Sequence, residues 1–289
     1  MFTIGIIGNG FVGNATSQFE NKEVKALVYD INSDKCTPVG LTLQELCEQS
    51  TIIFICLPTP MKKDGSCHLG IIEKVIENMK KYIDFDNIPV VIRSTVPVGT
   101  SDNLNCFFMP EFLTEVNALN DFKNTACWII GLKSNNELQN KKVHDILIPW
   151  IMNTNINYGH IISADSLFVP TKEAEAIKLF KNTFLAVKVG FCNEFYRFCE
   201  ANDVNYNVVV KGVVTDPRIT LSHTQVPGNN GQFGFGGTCF PKDISSLQNQ
   251  MNHLNIISPI TDAVITRNNE IDRCDQDWKS DEGRAVINS

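Results

Sequence analysis

The chain has 289 residues, of which 43% are hydrophobic, 20% are charged and 9% are aromatic. These fractions are typical of an ordinary globular protein and exclude the collagen-like, disordered and disulfide-scaffold classes. The formal net charge is −7 and no run of Lys or Arg is present, so we expect no nucleic-acid partner.

The N-terminal segment and the spacing of the cysteines exclude further classes of protein. No apolar stretch reaches the roughly 18 residues that a membrane-spanning helix needs, and the apolar N-terminus lacks the basic region of a signal peptide. The ten cysteines form no CxxC pair and no zinc-ligand spacing. We therefore expect a reduced, cytoplasmic protein without a metal site or a membrane segment.

Short apolar runs alternate with amphipathic ones in residues 1–168, which predicts a doubly wound parallel sheet of the Rossmann type. The run Thr51–Leu57 is apolar at successive positions, as in a strand that is buried on both faces. Predicted strands are Thr3–Ile7, Lys25–Asp30, Thr51–Leu57, Pro89–Arg93, Asn105–Met109, Cys127–Gly131 and His160–Ser163, and predicted helices are Leu69–Tyr82 and Asn135–Met152.

Residues 169–289 have a different, mostly helical pattern. From Thr171 to Asn202, apolar residues recur at steps of three and four, which predicts one long helix. A shorter helix is predicted over Tyr206–Val214. Two more are predicted to begin near Pro241 and Pro259, since proline is favoured in a first helical turn. The α/β domain is thus followed by a helical domain.

The pattern Gly8-x-Gly10-x-x-Gly13 follows the first predicted strand and begins a helix. Such glycines allow a tight turn and a close approach of a dinucleotide pyrophosphate, and Asp30, at the end of the second strand, can bind the ribose hydroxyls. This context favours a dinucleotide site over an ordinary glycine turn. Asp30 favours NAD over NADP because a carboxylate repels a 2′-phosphate, although Lys35 weakens that preference.

A glycine-rich loop, Phe233–Asp243, contains Cys239 just before a proline-started helix. The positive end of a helix favours a thiolate, so Cys239 is a candidate nucleophile, with Asp243 one helical turn away. Lys178 and Asn182 share one face of the long helix. Taken alone, that pair is better explained by a solvated polar face, and Glu111 and Glu115 are consistent with surface charges. Thr95 follows a strand at the ligand-binding edge of the sheet.

Together, these segments resemble the UDP-glucose/GDP-mannose dehydrogenase family. The matching blocks, in chain order, are GNGFVG (8–13), PTP (58–60), DG (64–65), STVPVGT (94–100), PEFLTE (110–115), EAEAIKLFKNTFLAVKVGFCNE (173–194), DPRI (216–219) and FGFGGTCFPKD (233–243). The resemblance implies an NAD-binding domain, residues 1–168, and a central domain, residues 169–289, whose long helix 171–202 builds a homodimer. It also implies oxidation of the C6 hydroxyl of a nucleotide sugar, UDP-glucose to UDP-glucuronate, in two hydride transfers.

The resemblance implies roles for individual residues. Cys239 would carry a thiohemiacetal and then a thioester, Lys178 and Asn182 would stabilise the oxyanion, Asp243 would assist proton transfer, and Thr95 and Glu115 would hold water. The implied cofactor contacts are Gly8, Gly10, Phe11, Val12, Gly13, Asp30, Lys35, Pro58, Thr59 and Thr95. The implied substrate contacts are Glu111, Phe112, Leu113, Lys178, Asn182, Arg218, Phe233 and Gly236.

The match to the family departs from its pattern in two places. Members normally carry a third domain that holds the nucleotide, and the sequence predicts a shortened form without it. The segment Asp64–His68 also lacks the acid that usually follows the DG turn. Two alternatives therefore stay open: a non-catalytic or partner-dependent NAD-binding dimer module of the same family, and a one-step hydroxyacid dehydrogenase, which needs no thiol.

Overall fold

The computed structural model describes residues 2–287, and the chain divides into two compact units. The first unit comprises Met1–Thr59 and Leu69–Lys178, and the second comprises Pro60–His68 and Leu179–Ser289. The division thus lies inside the long helix, and a short segment that follows the third strand belongs to the second unit.

The first unit is built on a seven-stranded sheet with the strand order β2-β1-β3-β4-β5-β6-β7. Its strands are β1 (Phe2–Ile7), β2 (Val24–Tyr29), β3 (Ile52–Ile55), β4 (Val90–Ile92), β5 (Phe107–Phe108), β6 (Trp128–Leu132) and β7 (Ser166–Pro170). Strands β1 to β5 are parallel, whereas β6 is antiparallel to β5 and carries β7 parallel to itself. The strand order changes direction at β1, which places a topological switch point between β1 and β3.

Both faces of this sheet are covered, as the continuous apolar run in the third strand predicts. Ile52 and Phe54 belong to one buried cluster, and Ile53 and Ile55 belong to the cluster on the other face. Alternate residues of a strand point to opposite faces, so a strand between two cores must be apolar at every position. The Rossmann-type α/β prediction is confirmed.

The helices that cover the sheet are mostly short. They are α1 (Phe11–Ser17), α2 (Leu43–Gln49), α3 (Gly70–Met79), α4 (Thr100–Asn103), α5 (Ala118–Lys123), α6 (Glu137–Lys142) and α7 (Ile148–Asn157). The helix predicted over Asn135–Met152 is instead α6 and α7 joined by a π-helical turn, Val143–Leu147. Pro149 lies in the first turn of α7 and has no N–H to donate, so the hydrogen-bond pattern changes just before it.

The strand predicted at His160–Ser163 is wrong. The seventh strand is Ser166–Pro170, paired with Trp128–Leu132. Ser163 lies in irregular backbone. Its carbonyl accepts the Trp128 indole N–H at 2.9 Å, and its hydroxyl accepts the Asp165 N–H at 3.0 Å. These bonds engage the groups that a strand ladder would need.

The second unit is helical. It contains most of α8 (Thr171–Ala201), together with α9 (Tyr206–Val213), α10 (Phe240–His253) and α11 (Pro259–Arg267). The long helix and the helices that start at Pro241 and Pro259 are confirmed within a residue or two. Small apolar clusters hold this unit together; one of them packs Trp278 and Val286 around Met61.

The helix α8 carries two different faces. Phe180, Phe184, Phe191 and Phe198 are all more than half exposed, and at about 100° per residue they fall within an arc of roughly 40°. Lys178 and Asn182 are buried and lie on the opposite side of the same helix. The polar pair predicted as a solvated or functional face is therefore on the buried side.

Candidate functional site

The glycine turn after β1 is shaped by backbone contacts that exclude side chains. Gly8 has a φ of +95°, and a Cβ atom there would lie 2.5 Å from the Cys56 carbonyl oxygen. A Cβ atom on Gly13 would lie 1.9 Å from the Gly8 carbonyl oxygen, whereas one on Gly10 would meet nothing within 4 Å. Gly8 and Gly13 are thus needed for packing, whereas Gly10 leaves the backbone open to a ligand.

The other predicted cofactor residues lie at the carboxyl ends of neighbouring parallel strands. The Asp30 carboxylate, after β2, accepts hydrogen bonds from the Asn9 N–H at 2.8 Å and the Asn32 N–H at 2.9 Å. Thr59, after β3, is buried and donates its hydroxyl to the Thr95 carbonyl, after β4, at 2.8 Å. Phe11 and Val12 form the half-buried first turn of α1, and Lys35 and Pro58 are exposed.

Lys178 is a buried cation with a carboxylate partner. Its side chain is 3% exposed, and its Nζ lies 2.9 Å from Glu111 Oε1 and 2.7 Å from the Glu111 carbonyl oxygen. The other carboxylate oxygen of Glu111 accepts the Leu113 N–H at 2.8 Å, and the Phe112 ring lies 5.6 Å from Nζ. The loop after β5 therefore fixes the lysine in place.

The predicted water-holding residues differ in exposure. Thr95 is buried, whereas Glu115 is exposed at the end of the loop that holds Lys178. A cation that was not predicted lies nearby: Arg93 is 1% exposed and donates to the Thr16 hydroxyl at 2.8 Å. Burial lowers the pKa of Arg93, and Cys56 and Glu111 partly offset that effect.

In the second unit, Cys239 occupies the N-cap position of α10. Its sulfur lies 3.7 Å from the Thr238 hydroxyl oxygen, and the side chain is partly exposed. The 14-residue helix places its positive end at this thiol, which favours the ionised form.

Asp243 lies one turn along α10 and is 1% exposed. Its Oδ2 accepts a hydrogen bond from Asn182 Nδ2 at 2.6 Å, and its Oδ1 accepts one from Lys242 Nζ. Burial alone would lower the pKa of Lys242, but Asp243 and Cys239 raise it overall. The structure thus brings together Asn182, Asp243 and a lysine that the sequence reasoning did not single out.

The glycine-rich loop before Cys239 is held by side chains distant in sequence. The Asn268 amide accepts the Phe235 N–H at 2.7 Å and donates to the Phe235 carbonyl at 3.0 Å. Asn193 accepts the Gly234 N–H at 3.0 Å. The Arg273 guanidinium lies so close to Gly236 that a Cβ atom there would be 2.6 Å from its Cζ. Any side chain at position 236 would therefore require the Arg273 guanidinium to shift.

The remaining predicted substrate residues lie at the edge of this unit. Phe233 is half-buried, and Arg197 lies over its ring at 4.2 Å. Arg218 is highly exposed and pairs with Asp216 of its own motif at 2.6 Å. Within residues 2–287, no cluster of His, Cys, Asp or Glu is arranged to hold a metal ion, and no helix is long and apolar enough to cross a membrane.

Comparison with known proteins gives the family. The sequence model of the NAD binding domain of the UDP-glucose/GDP-mannose dehydrogenase family matches residues 39–151, and that of the family's central domain matches residues 172–270. A UDP-glucose 6-dehydrogenase of Campylobacter jejuni is 30% identical over 92% of this chain and 71% of its own length. The chain belongs to the UDP-glucose/GDP-mannose dehydrogenase family. The match to the family's NAD binding domain lies largely in the first unit, where the open Gly10 turn beside Asp30 fits that cofactor.

A second relative covers a similar part of this chain. A UDP-glucose 6-dehydrogenase of Rickettsia bellii is 32% identical over 87% of this chain and 56% of its own length. Across these two relatives, the chain spans 56% to 71% of the curated protein.

Solved structures support the fold. A UDP-glucose dehydrogenase from Pyrobaculum islandicum has a TM-score of 0.74 and 24% identity, covering 93% of this chain and 68% of its own. A 3-hydroxyisobutyrate dehydrogenase from Mycobacterium tuberculosis has a TM-score of 0.69 at 12% identity, covering 99% of this chain and 96% of its own. At these identities, the likeness concerns architecture alone.

Proposed function

We propose that this chain oxidises the C6 hydroxyl of a nucleotide sugar, UDP-glucose to UDP-glucuronate, with NAD as the oxidant. The observation that carries the proposal lies within the second unit. Cys239 occupies the N-cap position of α10. The buried carboxylate of Asp243, one turn further along α10, is hydrogen-bonded to Asn182 of α8. A one-step alcohol dehydrogenase has no use for a thiol in this position, whereas oxidation through a thioester requires one.

Cys239 supplies the nucleophile in this mechanism. Its thiolate adds to the C6 aldehyde formed by the first oxidation, which gives a thiohemiacetal. The second oxidation converts this adduct to a thioester, and water then attacks the thioester carbonyl and releases the thiolate and the uronate. The helix end at Cys239 stabilises the thiolate both as nucleophile and as leaving group.

Charge at the C6 oxygen is stabilised by donors on α8. Two of the three N–H groups of Lys178 go to Glu111 within the described residues, which leaves one for the substrate oxygen. Asn182 contributes an amide, and its bond to Asp243 fixes its orientation. The Asp243 carboxyl accepts hydrogen bonds from both Asn182 and Lys242, which fix it as the proton acceptor for the attacking water in this mechanism.

The first unit would hold the cofactor. When bound there, NAD would supply the hydride acceptor for both oxidations. Gly8, Gly10 and Gly13 give the dinucleotide access to the backbone, and Asp30 binds its ribose hydroxyls. Thr59 and Thr95 keep the ends of β3 and β4 tied together beside it. A thiol-dependent mechanism in a chain with ten cysteines also suits the reducing cytoplasm, where we place the protein.

We also propose that two copies associate through the exposed phenylalanine face of α8. The four phenylalanines extend over 19 residues, about 27 Å of helix from the first to the last, and each is 57% to 70% exposed. An apolar stripe of that length marks an interaction surface, and a second copy supplies the same stripe in a two-fold arrangement. Phe184→Asp and Phe191→Asp together should give a monomer by sedimentation, with Lys181→Asp as the exposed polar control. A dimer that persists in the double variant contradicts the proposal.

The activity is tested with purified protein, NAD and a panel of UDP-glucose, GDP-mannose and UDP-N-acetyl sugars. The proposal expects NADH and uronate from UDP-glucose. It also expects Cys239→Ser to lower uronate formation by roughly a thousandfold or more, because the nucleophile is lost, while NAD binding stays unchanged. Absence of NADH with every sugar refutes it, and a Cys239→Ser protein with full turnover supports a one-step dehydrogenase instead.

A further inference from the structure

Cys67 is a second partly exposed thiol in the unit that contains Cys239. It lies in the turn Asp64–His68, the segment that departs from the family's usual pattern. The backbone of Cys67 forms an isolated bridge with Met61, and Ser66 is bonded to the Asp64 carboxylate. The turn that carries Cys67 is therefore held by hydrogen bonds on both sides of the cysteine.

That turn runs along α10 toward its N-terminus. Asn249 Nδ2 donates to the Asp64 carbonyl at 3.3 Å, and a Cβ atom on Gly65 would lie 3.6 Å from Ser245 Cβ. Gly65 thus faces a position four residues nearer the start of α10 than the position that Asp64 faces. Cys67 lies two residues further along the chain in that direction, and Cys239 is the N-cap residue of the same helix.

Lys242 in that first turn is an independent marker of the same placement. Its buried ammonium is paired with Asp243. Burial lowers the pKa of Lys242, whereas Asp243, Cys239 and Cys67 raise it. An effect of this kind requires the sulfur atoms to lie near the ammonium. The Lys242 ammonium therefore lies within electrostatic reach of both thiols.

We propose that Cys67 and Cys239 form a reversible disulfide that protects and switches off the nucleophile when the protein meets a peroxide. This inference rests on the proposed function for its effect on turnover. The Cys239 thiolate attacks the peroxide O–O bond and becomes a sulfenic acid as the alcohol or water leaves. The Cys67 thiol then attacks that sulfur and releases a second water. In total, two thiols lose two electrons and two protons, and the peroxide gains them.

The disulfide has two consequences. Cys239 can no longer add to an aldehyde, so uronate formation stops. Its sulfur is also protected from further oxidation to the sulfinic acid, which is irreversible. A dithiol reductant restores both thiols, so the switch is reversible in a reducing cell.

The direct test uses the full chain treated with hydrogen peroxide, blocked with an alkylating reagent and digested with trypsin without reduction. Cys67 falls in peptide Asp64–Lys74 and Cys239 in peptide Ile219–Lys242, each with no other cysteine. The proposal expects a cross-linked pair of these peptides that disappears after dithiothreitol. A peroxide-treated protein that shows sulfinic acid on Cys239 and no cross-link overturns it.

A variant series gives a second, independent measurement. Wild type inactivated by peroxide should recover at least four-fifths of its turnover with dithiothreitol, whereas Cys67→Ser should recover less than one-fifth. Cys274→Ser, which removes an exposed thiol of the same unit, should behave as wild type. Equal recovery in all three proteins refutes the switch. If the cross-link forms in a protein that never turns over nucleotide sugars, the proposed function fails and the thiol pair stands.

Discussion

The buried pair of Lys178 and Glu111 gives a prediction whose size follows from its geometry. Lys178→Met removes the ammonium and leaves the Glu111 carboxylate, 5% exposed, without its cation. Breaking a buried ion pair by removing one partner costs about 3–5 kcal/mol, because an uncompensated charge stays in a low-dielectric site. At roughly 2–4 °C per kcal/mol for a unit of this size, the melting temperature should fall by roughly 6–20 °C.

The assay is a double-mutant cycle followed by calorimetry. Lys178→Met combined with Glu111→Gln removes both charges, so most of the lost stability should return. The coupling energy between the two positions should be about 2 kcal/mol or more. If Lys178→Met melts within 2 °C of wild type, or if the two changes are additive, the pair does not exist as a buried ion pair in solution and the reasoning is refuted.

Three further predictions concern single residues. Gly13→Ala should lower the free energy of unfolding by about 1–3 kcal/mol through overpacking, whereas Gly10→Ala should melt as wild type and lose only NAD affinity, measured by titration. Equal melting temperatures of the two variants would contradict the turn geometry. Burial raises the pKa of Cys56 to about 11, so at pH 8 only about one part in a thousand of this thiol is ionised. Mass spectrometry of the native protein should therefore show alkylation of the exposed Cys127 but not of Cys56. Equal labelling of the two cysteines would contradict this prediction. Asn268→Ala should lower turnover at least tenfold with an unchanged Kd for NAD, since it frees the loop before the nucleophile; unchanged turnover would mean that the loop is ordered without it.

The sequence predicted the features that depend on local pattern. The alternation of apolar runs predicts a sheet buried on both faces, and the three- and four-residue steps predict α8. Cys239 could be picked out because glycines precede it and a proline-started helix follows. The predicted strand at His160–Ser163 is wrong because Ser163 accepts hydrogen bonds from the Trp128 indole and the Asp165 N–H, which apolar content alone does not reveal.

The partners of the candidate site residues could not be predicted in the same way. Glu111 and Lys178 are 67 positions apart, and Asn268 meets Phe235 across 33 positions. No periodicity relates residues at such separations; they meet only because the strands and helices fold first. The resemblance to a family gave Lys178 and Glu111 separate roles, and only the structure reveals that they form one ion pair.

The measurement that tests the central claim most directly is the ratio of NADH to uronate with UDP-glucose as the limiting reagent. A mechanism through a Cys239 thioester predicts two NADH for each sugar consumed, one uronate, and no aldehyde trapped by a carbonyl reagent. One NADH per sugar with a trappable aldehyde would contradict it, because the nucleophile would then play no part in the oxidation.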